Sequence, residues 1–257
     1  MKTVDSTASS TRRTSQRAGR ILLVAIALIL LAWPLVPLIR QDQSYHGFAD
    51  RRMWLGVPNA ADVLSNLAFA LVGIIGVARL LSRRRTRFNT VTEAGLWLIA
   101  LGILGTAAGS AWYHLNPTDE TLFWDRLPMT IVFAGVLAAA IAQRLGEDVG
   151  RWVLAVLSPL GIASVVYWKW SGDLSLYALV QFGGIATLVV LLLLARDRSD
   201  PIPWLWVIVL YVAAKIAEAG DHTIWDATHS FVAGHALKHL LAAAAAAAAL
   251  WPLLRRR

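Results

Sequence analysis

Apolar runs of about 20 residues recur along this chain and constrain its fold more than any other feature, because a helix of that length crosses the hydrocarbon core of a bilayer. Of the 257 residues, 57% are hydrophobic and only 16% are charged. A soluble domain has no means of burying so much apolar surface. Since a helix satisfies its backbone hydrogen bonds internally, the sequence predicts an all-α, polytopic membrane helical bundle.

The apolar runs predict eight spans. Residues 1–20 are basic and rich in Ser and Thr, and we expect them to form a disordered cytoplasmic tail. Residues 21–39 form an additional N-terminal transmembrane helix; the run is long for a signal peptide, and no clear small-x-small cleavage site follows it. Residues 40–257 then form one domain of seven helices, near 60–81, 91–114, 123–142, 152–168, 174–195, 203–219 and 231–254.

Arginines cluster in alternate loops of this arrangement. They precede the first span, follow the second, fourth and sixth spans, and end the chain. The positive-inside rule makes that side cytoplasmic, so both termini are expected in the cytoplasm. The net charge of +8 is therefore a topology signal and does not indicate a nucleic-acid partner. Short loops and the absence of cysteine favour a bacterial inner membrane.

Five polar residues lie at the predicted outer ends of three spans. Ser110 and His114 are four residues apart and share one helical face at the end of the third span. Asp125 begins the fourth span, and His235 and His239 lie in the first turns of the eighth. Such residues are costly near hydrocarbon and are functional-site candidates. Because all five lie at the same predicted face, we expect them to converge in space.

These residue types favour a zinc hydrolase site. Without cysteine, a metal site must use histidine and carboxylate ligands. His235 and His239 present two imidazoles on one face, and His114 can supply a third, which leaves a position for water as in catalytic zinc sites. Asp125 is then the candidate to take and return a proton. Ser110 can donate a hydrogen bond to a developing oxyanion, or it can orient a ligand.

Other interpretations of the same residues remain open. A histidine pair at this spacing can be structural, and histidines on two helices can also bind haem, although the close spacing favours one small ion. Asp125 can form an ion pair with the neighbouring Arg126, and Ser110 can bond back to a carbonyl of its own helix. We expect the remaining histidines to be loop residues and not metal ligands; they are His46, His222 and His229.

At these residues the chain resembles the CREST superfamily of membrane hydrolases, and within it the alkaline ceramidase branch. The resemblance extends from about Asp50 to the end of the chain. It rests on Ser110-x-x-x-His114, Asp125 in Asp-Arg-Leu-Pro-Met, His235-x-x-x-His239, Ser65-Asn66-Leu67-Ala68-Phe69 and Gly234-His235.

The resemblance implies a seven-helix core that binds zinc through His114, His235 and His239. It implies Ser110 and Asp125 as catalytic partners, and hydrolysis of the amide bond of a membrane lipid such as ceramide. It also implies a calcium site near the start of the first family helix.

For calcium, this stretch of the chain offers Asp50, Asn59 and Asp62, in a different arrangement with Arg51 and Arg52 interposed. Neighbouring positive charge makes such a cluster a poor cation site.

Two competing functions are compatible with the same pattern. A non-enzymatic receptor or sensor would use zinc as a structural ion, usually with four protein ligands and no open position. A transporter or redox protein is less consistent, because transporters often have inverted repeats and broken helices near the membrane centre. The sequence shows no such repeat, and its polar residues lie at one end of the spans.

Overall fold

The computed structural model describes residues 31–82, 88–194 and 201–255, together with residues 19, 21, 24 and 26–29. The predicted tail lies outside the described residues apart from Gly19. The predicted first span, 21–39, is described in part. It contains a 3-10 turn over Trp33–Leu35.

Helices account for all the regular structure of the described residues, which otherwise contain two isolated β-bridges. The prediction of an all-α chain is confirmed. A second 3-10 turn, Gln43–His46, precedes the main helices. In chain order these are α1 Ala60–Ser65, α2 Leu67–Ser82, α3 Thr90–Leu115, α4 Asp119–Arg144, α5 Glu147–Ser171, α6 Ser175–Leu194, α7 Trp204–Ala219, α8 Asp221–Ala227, α9 Gly234–Ala249 and α10 Trp251–Leu254.

Five helices are long and apolar enough to cross a membrane: α1 and α2 taken together as Ala60–Ser82, and α3, α4, α5 and α6. They correspond to five of the eight predicted spans. Helices α7 and α9 have 16 residues each, or about 24 Å at 1.5 Å per residue, which is shorter than a hydrocarbon core of about 30 Å. Among the described residues, five helices are therefore long and apolar enough to span a membrane, and the count of seven helices plus one stays a prediction.

Helix α4 begins at Asp119, before the predicted start of its apolar run at residue 123. The reason is local. Thr118 accepts a hydrogen bond from the Thr121 backbone N–H, and the Thr121 hydroxyl in turn bonds to the Thr118 backbone N–H. This capping box satisfies donors at the helix start, and the acidic Asp119 and Glu120 favour the positive end of the helix dipole. One turn of helix therefore precedes the apolar residues.

Of the four buried apolar clusters of the described residues, two lie at opposite ends of the bundle. The larger includes Leu96 of α3, Ile141 of α4 and Leu250 beyond α9, all fully buried. The smaller includes Phe48 and Tyr113, and it lies at the C-terminal end of α3. The smaller cluster is the one that surrounds the polar residues described below.

Helices α3 and α4 approach closely at Gly109. A Cβ atom at this position would lie 2.0 Å from the backbone oxygen of Trp124. Pro128 has no N–H, so the usual helical hydrogen bond from residue 128 to the Trp124 carbonyl cannot form. The bare Gly109 backbone therefore packs against this carbonyl, which places the next residue of each helix, Ser110 and Asp125, side by side.

Replacing Gly109 with alanine is expected to destabilise the protein by about 1–3 kcal/mol, because the added methyl group forces the two helices apart. The midpoint of thermal unfolding in detergent measures the effect. Gly183→Ala in α6 is the matched control, since its added Cβ would meet its nearest neighbour at an ordinary 3.6 Å. Equal midpoints for the two variants would show that the contact at Gly109 is not tight.

Candidate metal centre

Three histidines from two helices meet at the C-terminal end of α3. His114 ends α3, and His235 and His239 lie on one face of α9. One nitrogen atom of each residue lies within 4.8 Å of the others, and no side chain of the three is more than 3% exposed. The ring centroids are separated by 4.8, 4.9 and 5.0 Å, so the imidazoles form a nearly equilateral triangle.

The donor atoms of this cluster suit a metal ion. Within the described part of the chain, neither ring nitrogen of His114 has a hydrogen-bond partner, although both are buried. A buried polar atom without a partner is unfavourable, and a bound cation would satisfy it. The buried cluster could therefore hold a metal ion, and a set of three imidazoles is compatible with zinc.

Ser65 of α1 orients the imidazole of His239. Its hydroxyl oxygen lies 2.7 Å from Nδ1 of His239 and 2.9 Å from the backbone oxygen of Asp62. A hydroxyl has one proton to donate. Because Ser65 donates it to the Asp62 carbonyl, Nδ1 of His239 is the N–H that donates to Ser65. The other nitrogen, Nε2, is then free of a proton and available to a metal ion.

The structure places Ser110 and Asp125 beside the histidines. The hydroxyl oxygen of Ser110 lies 3.5 Å from Nε2 of His239. The side chain of Asp125 is buried. Ser110, Asp125 and His239 all line the same small cavity. All five residues singled out in the sequence therefore lie together.

A connecting segment, residues 40–59, lies over the cluster, and we call it the strap. The ring of Phe48 has its centroid 4.6 Å from that of His114 and 4.6 Å from that of His235. Asp221 ties the strap to α9, because its carboxylate accepts the backbone N–H of Ala49 at 2.9 Å and that of His235 at 2.8 Å. One carboxylate thus caps the start of α9 and holds the aromatic cover in place.

Of the three residues offered for calcium, Asp50 and Asn59 are engaged elsewhere, whereas neither carboxylate oxygen of the buried Asp62 has a hydrogen-bond partner among the described residues. The carboxylate of Asp50 accepts two hydrogen bonds from the Arg52 guanidinium, at 2.6 and 2.8 Å. Burial tends to raise the pKa of Asp50, but the hydrogen bonds and the charge of Arg52 outweigh it and lower the pKa. Asn59 donates its amide to the backbone oxygen of His114 at 2.8 Å. These two residues therefore do not fit a calcium site.

A charged group next to the histidines was missed by the sequence analysis. Nζ of Lys238 lies 3.0 Å from Nε2 of His235 and 3.2 Å from the carboxylate of Glu218. An imidazole nitrogen that accepts from an ammonium cannot bind a metal at the same time. Either Nδ1 of His235 is the ligand, or Lys238 turns away when the ion binds. The sequence does contain a signal for this group, because charged residues occur inside the apolar runs 203–219 and 231–254.

Three residues weighed in the sequence analysis have other partners. The guanidinium carbon of Arg126 lies 4.5 Å from the ring centroid of Trp168, and Arg126 donates to Gln41 at 2.7 Å. The expectation of loop histidines is wrong for His222, which lies in helix α8, and His46 lies in the 3-10 turn of the strap. His46 bonds to Tyr113 and Asp119, and His222 lies 2.9 Å from the Gly47 carbonyl oxygen.

No protein-family model matches this chain, and no curated protein matches it. The resemblance to the CREST superfamily therefore rests on the sequence motifs alone.

Proposed function

We propose that this chain is an integral-membrane, zinc-dependent hydrolase that cleaves the amide bond of a ceramide-like lipid. The observation that carries the proposal is a buried three-histidine cluster of which His239 lines a small cavity together with a serine and an aspartate, next to a larger apolar cavity. A metal site, a proton carrier and a place for hydrocarbon are the parts that such a reaction needs.

The apolar cavity is suited to a hydrocarbon tail. It adjoins the small cavity beside His239, with which it shares several lining residues, and its far end is lined almost entirely by apolar side chains. Along α9 it extends from Ala242 to Ala249, or about 10 Å of helix at 1.5 Å per residue. The alanines of α9 leave this space open because their side chains are small. Its shared lining residues are Phe69, Thr106, Met129, Tyr211 and Ala242.

Each polar residue has a role in this proposal. His114, His235 and His239 would hold zinc, which supplies a water molecule activated for attack at neutral pH. Asp125 would take a proton from the attacking water and return it to the leaving amine, so that water and an amide yield a carboxylic acid and an amine. Ser110 donates its hydroxyl proton toward the carbonyl oxygen as negative charge develops there.

We further propose that the site faces the outer side of a bacterial inner membrane. The alternating arginines support cytoplasmic termini under the positive-inside rule. The cluster lies at the C-terminal end of α3 and the N-terminal end of α9. In this topology both of these helix ends are on the outer side of the membrane.

Metal removal and restoration test the proposal directly. Protein purified in detergent is expected to contain about one zinc per chain, as a single catalytic site requires. Treatment with a chelator should abolish release of fatty acid from ceramide, and added zinc should restore it. Magnesium, which prefers oxygen ligands, is the control and should not restore activity. Unchanged hydrolysis in fully zinc-free protein would contradict the proposal.

One observation favours a different function, a receptor or sensor with a structural metal ion. Phe48 covers two of the three histidines, and the cluster is almost fully buried. A closed site of this kind is typical of structural zinc. Zinc that resists chelators, combined with ligand binding but no turnover of any acylated lipid, would support this second candidate.

A further inference from the structure

Two lysines share one glutamate in the small cavity beside His239. Its lining includes Lys215 and Glu218 of α7 and Lys238 of α9, together with Asp125 and His239. Glu218 forms ion pairs with both Lys215 and Lys238. The two ammonium groups come from different helices, so the pairing is a product of the tertiary structure.

Glu218 has little capacity left to neutralise both lysines. One of its oxygens accepts from Lys238 and also from the Tyr45 hydroxyl at 2.9 Å, and the other accepts from Lys215. Each ammonium group has three N–H donors. Lys215 uses one of them on Glu218, and its side chain is 33% exposed. The other N–H donors of the Lys215 ammonium group are therefore available to bind a ligand in the cavity that this side chain lines.

The charges around the cavity favour an anion. Among the residues that line the cavity, Lys215 and Lys238 balance Glu218 and Asp125. A divalent metal ion on the three histidines would add two positive charges, and the buried carboxylate of Asp62, which interacts with Lys238, would offset one of them. Positive charge in a largely buried space is unfavourable unless an anion or hydrogen-bond acceptors offset it. Hydrogen bonds between an ammonium group and a carboxylate or phosphate are among the strong ones in proteins.

We propose that Lys215 and Lys238 bind the anionic head of a single-chain lipid whose tail lies in the apolar cavity. This inference rests on the proposed function and specifies its substrate as an acyl amide or ester with a carboxylate or phosphate in its head group. Ceramide itself is neutral, so it is expected to bind less tightly than an acylated lipid that carries such a group. From Lys238 to Ala249 the two adjacent cavities line α9 over 11 residues, or about 16 Å, and the head and tail of one molecule would lie along this length.

Binding of two probes with the same tail tests the inference. Decyl phosphate and decanol are titrated into the full-length, zinc-loaded protein in nanodiscs, and binding is followed by calorimetry. The wild type is expected to bind decyl phosphate at least about tenfold more tightly than decanol, as charge-assisted hydrogen bonds provide. Lys215→Met should reduce this preference to about a third or less. Lys238→Met should do the same.

Lys169→Met is the matched control, because Lys169 pairs with Glu120 and does not line the cavity. It should keep the wild-type preference. Zinc content is measured for every variant, since Lys238 contacts a histidine of the cluster. A preference that survives in both cavity variants at full zinc content would assign the anion to the metal and overturn the inference. Equal binding of the two probes by the wild type would also overturn it.

Inorganic phosphate separates a lipid head group from a free anion. It lacks a tail and should bind at least about tenfold more weakly than decyl phosphate, given the apolar surface that a tail buries. Equal affinities would overturn the assignment to a lipid.

Failure of the proposed function would give a different result from failure of this inference. A protein that hydrolyses no lipid but keeps the lysine-dependent preference would lose the hydrolase proposal, while the binding inference would be supported.

Discussion

Replacing His114 with alanine is expected to remove bound zinc and lipid hydrolysis together. His114 is the most informative of the three histidines, because neither ring nitrogen has another partner among the described residues. Its substitution therefore breaks no hydrogen bond that the fold needs. With two imidazoles left, zinc affinity should fall sharply, and turnover should fall at least about a thousandfold because the activated water is lost. Elemental analysis and fatty acid release measure the two effects.

His229→Asn is the control for this variant. His229 is exposed and lies in a left-handed backbone conformation, which asparagine tolerates. It should keep both zinc and activity. If His114→Ala retained one zinc per chain with unchanged turnover, the three-histidine cluster would not be the metal site.

The second large effect is expected for Asp125→Asn, which should retain zinc but lose about 10²–10⁴-fold in turnover, the usual contribution of a general base. The amide has the same shape as the carboxylate and can still accept hydrogen bonds through its oxygen, but it cannot take a proton. Asp125 does not belong to the three-histidine group, so the metal content should be unchanged. Turnover number and zinc content are measured on the same preparation.

Asp119→Asn is the matched control because Asp119 lies in the same helix, and its side chain is 44% exposed. It is expected to keep near-wild-type turnover. A loss of zinc in Asp125→Asn would instead place this carboxylate among the ligands. Turnover within about threefold of the wild type would exclude it as the general base.

Much of the fold was predictable because its cause is local. Five of the predicted spans correspond to long helices, since an apolar run of sufficient length specifies a helix across a bilayer. The boundaries were less accurate. Helix α4 begins at Asp119 because Thr118 and Thr121 form a capping box, which adds a polar turn before the apolar run.

The pairing of His235 with His239 was also a local matter, because residues four apart on a helix share a face. Their meeting with His114 was expected from the side of the membrane to which each was assigned. The structure then brought the three rings within about 5 Å of one another. Spacing alone did not identify Ser65, which orients His239, because a serine in an apolar helix has many possible partners.

The sequence by itself predicted an all-α chain with long apolar helices, the positions of most of those helices and the residue types able to bind a metal. These depend on hydrophobic runs and on spacings within one helix. Only the tertiary structure decided that Phe48 covers the histidines, that Asp221 joins the strap to α9 and that Lys215 and Lys238 share Glu218. Such contacts depend on how closely helices approach, as at Gly109, and that distance is set by packing between segments far apart in the chain.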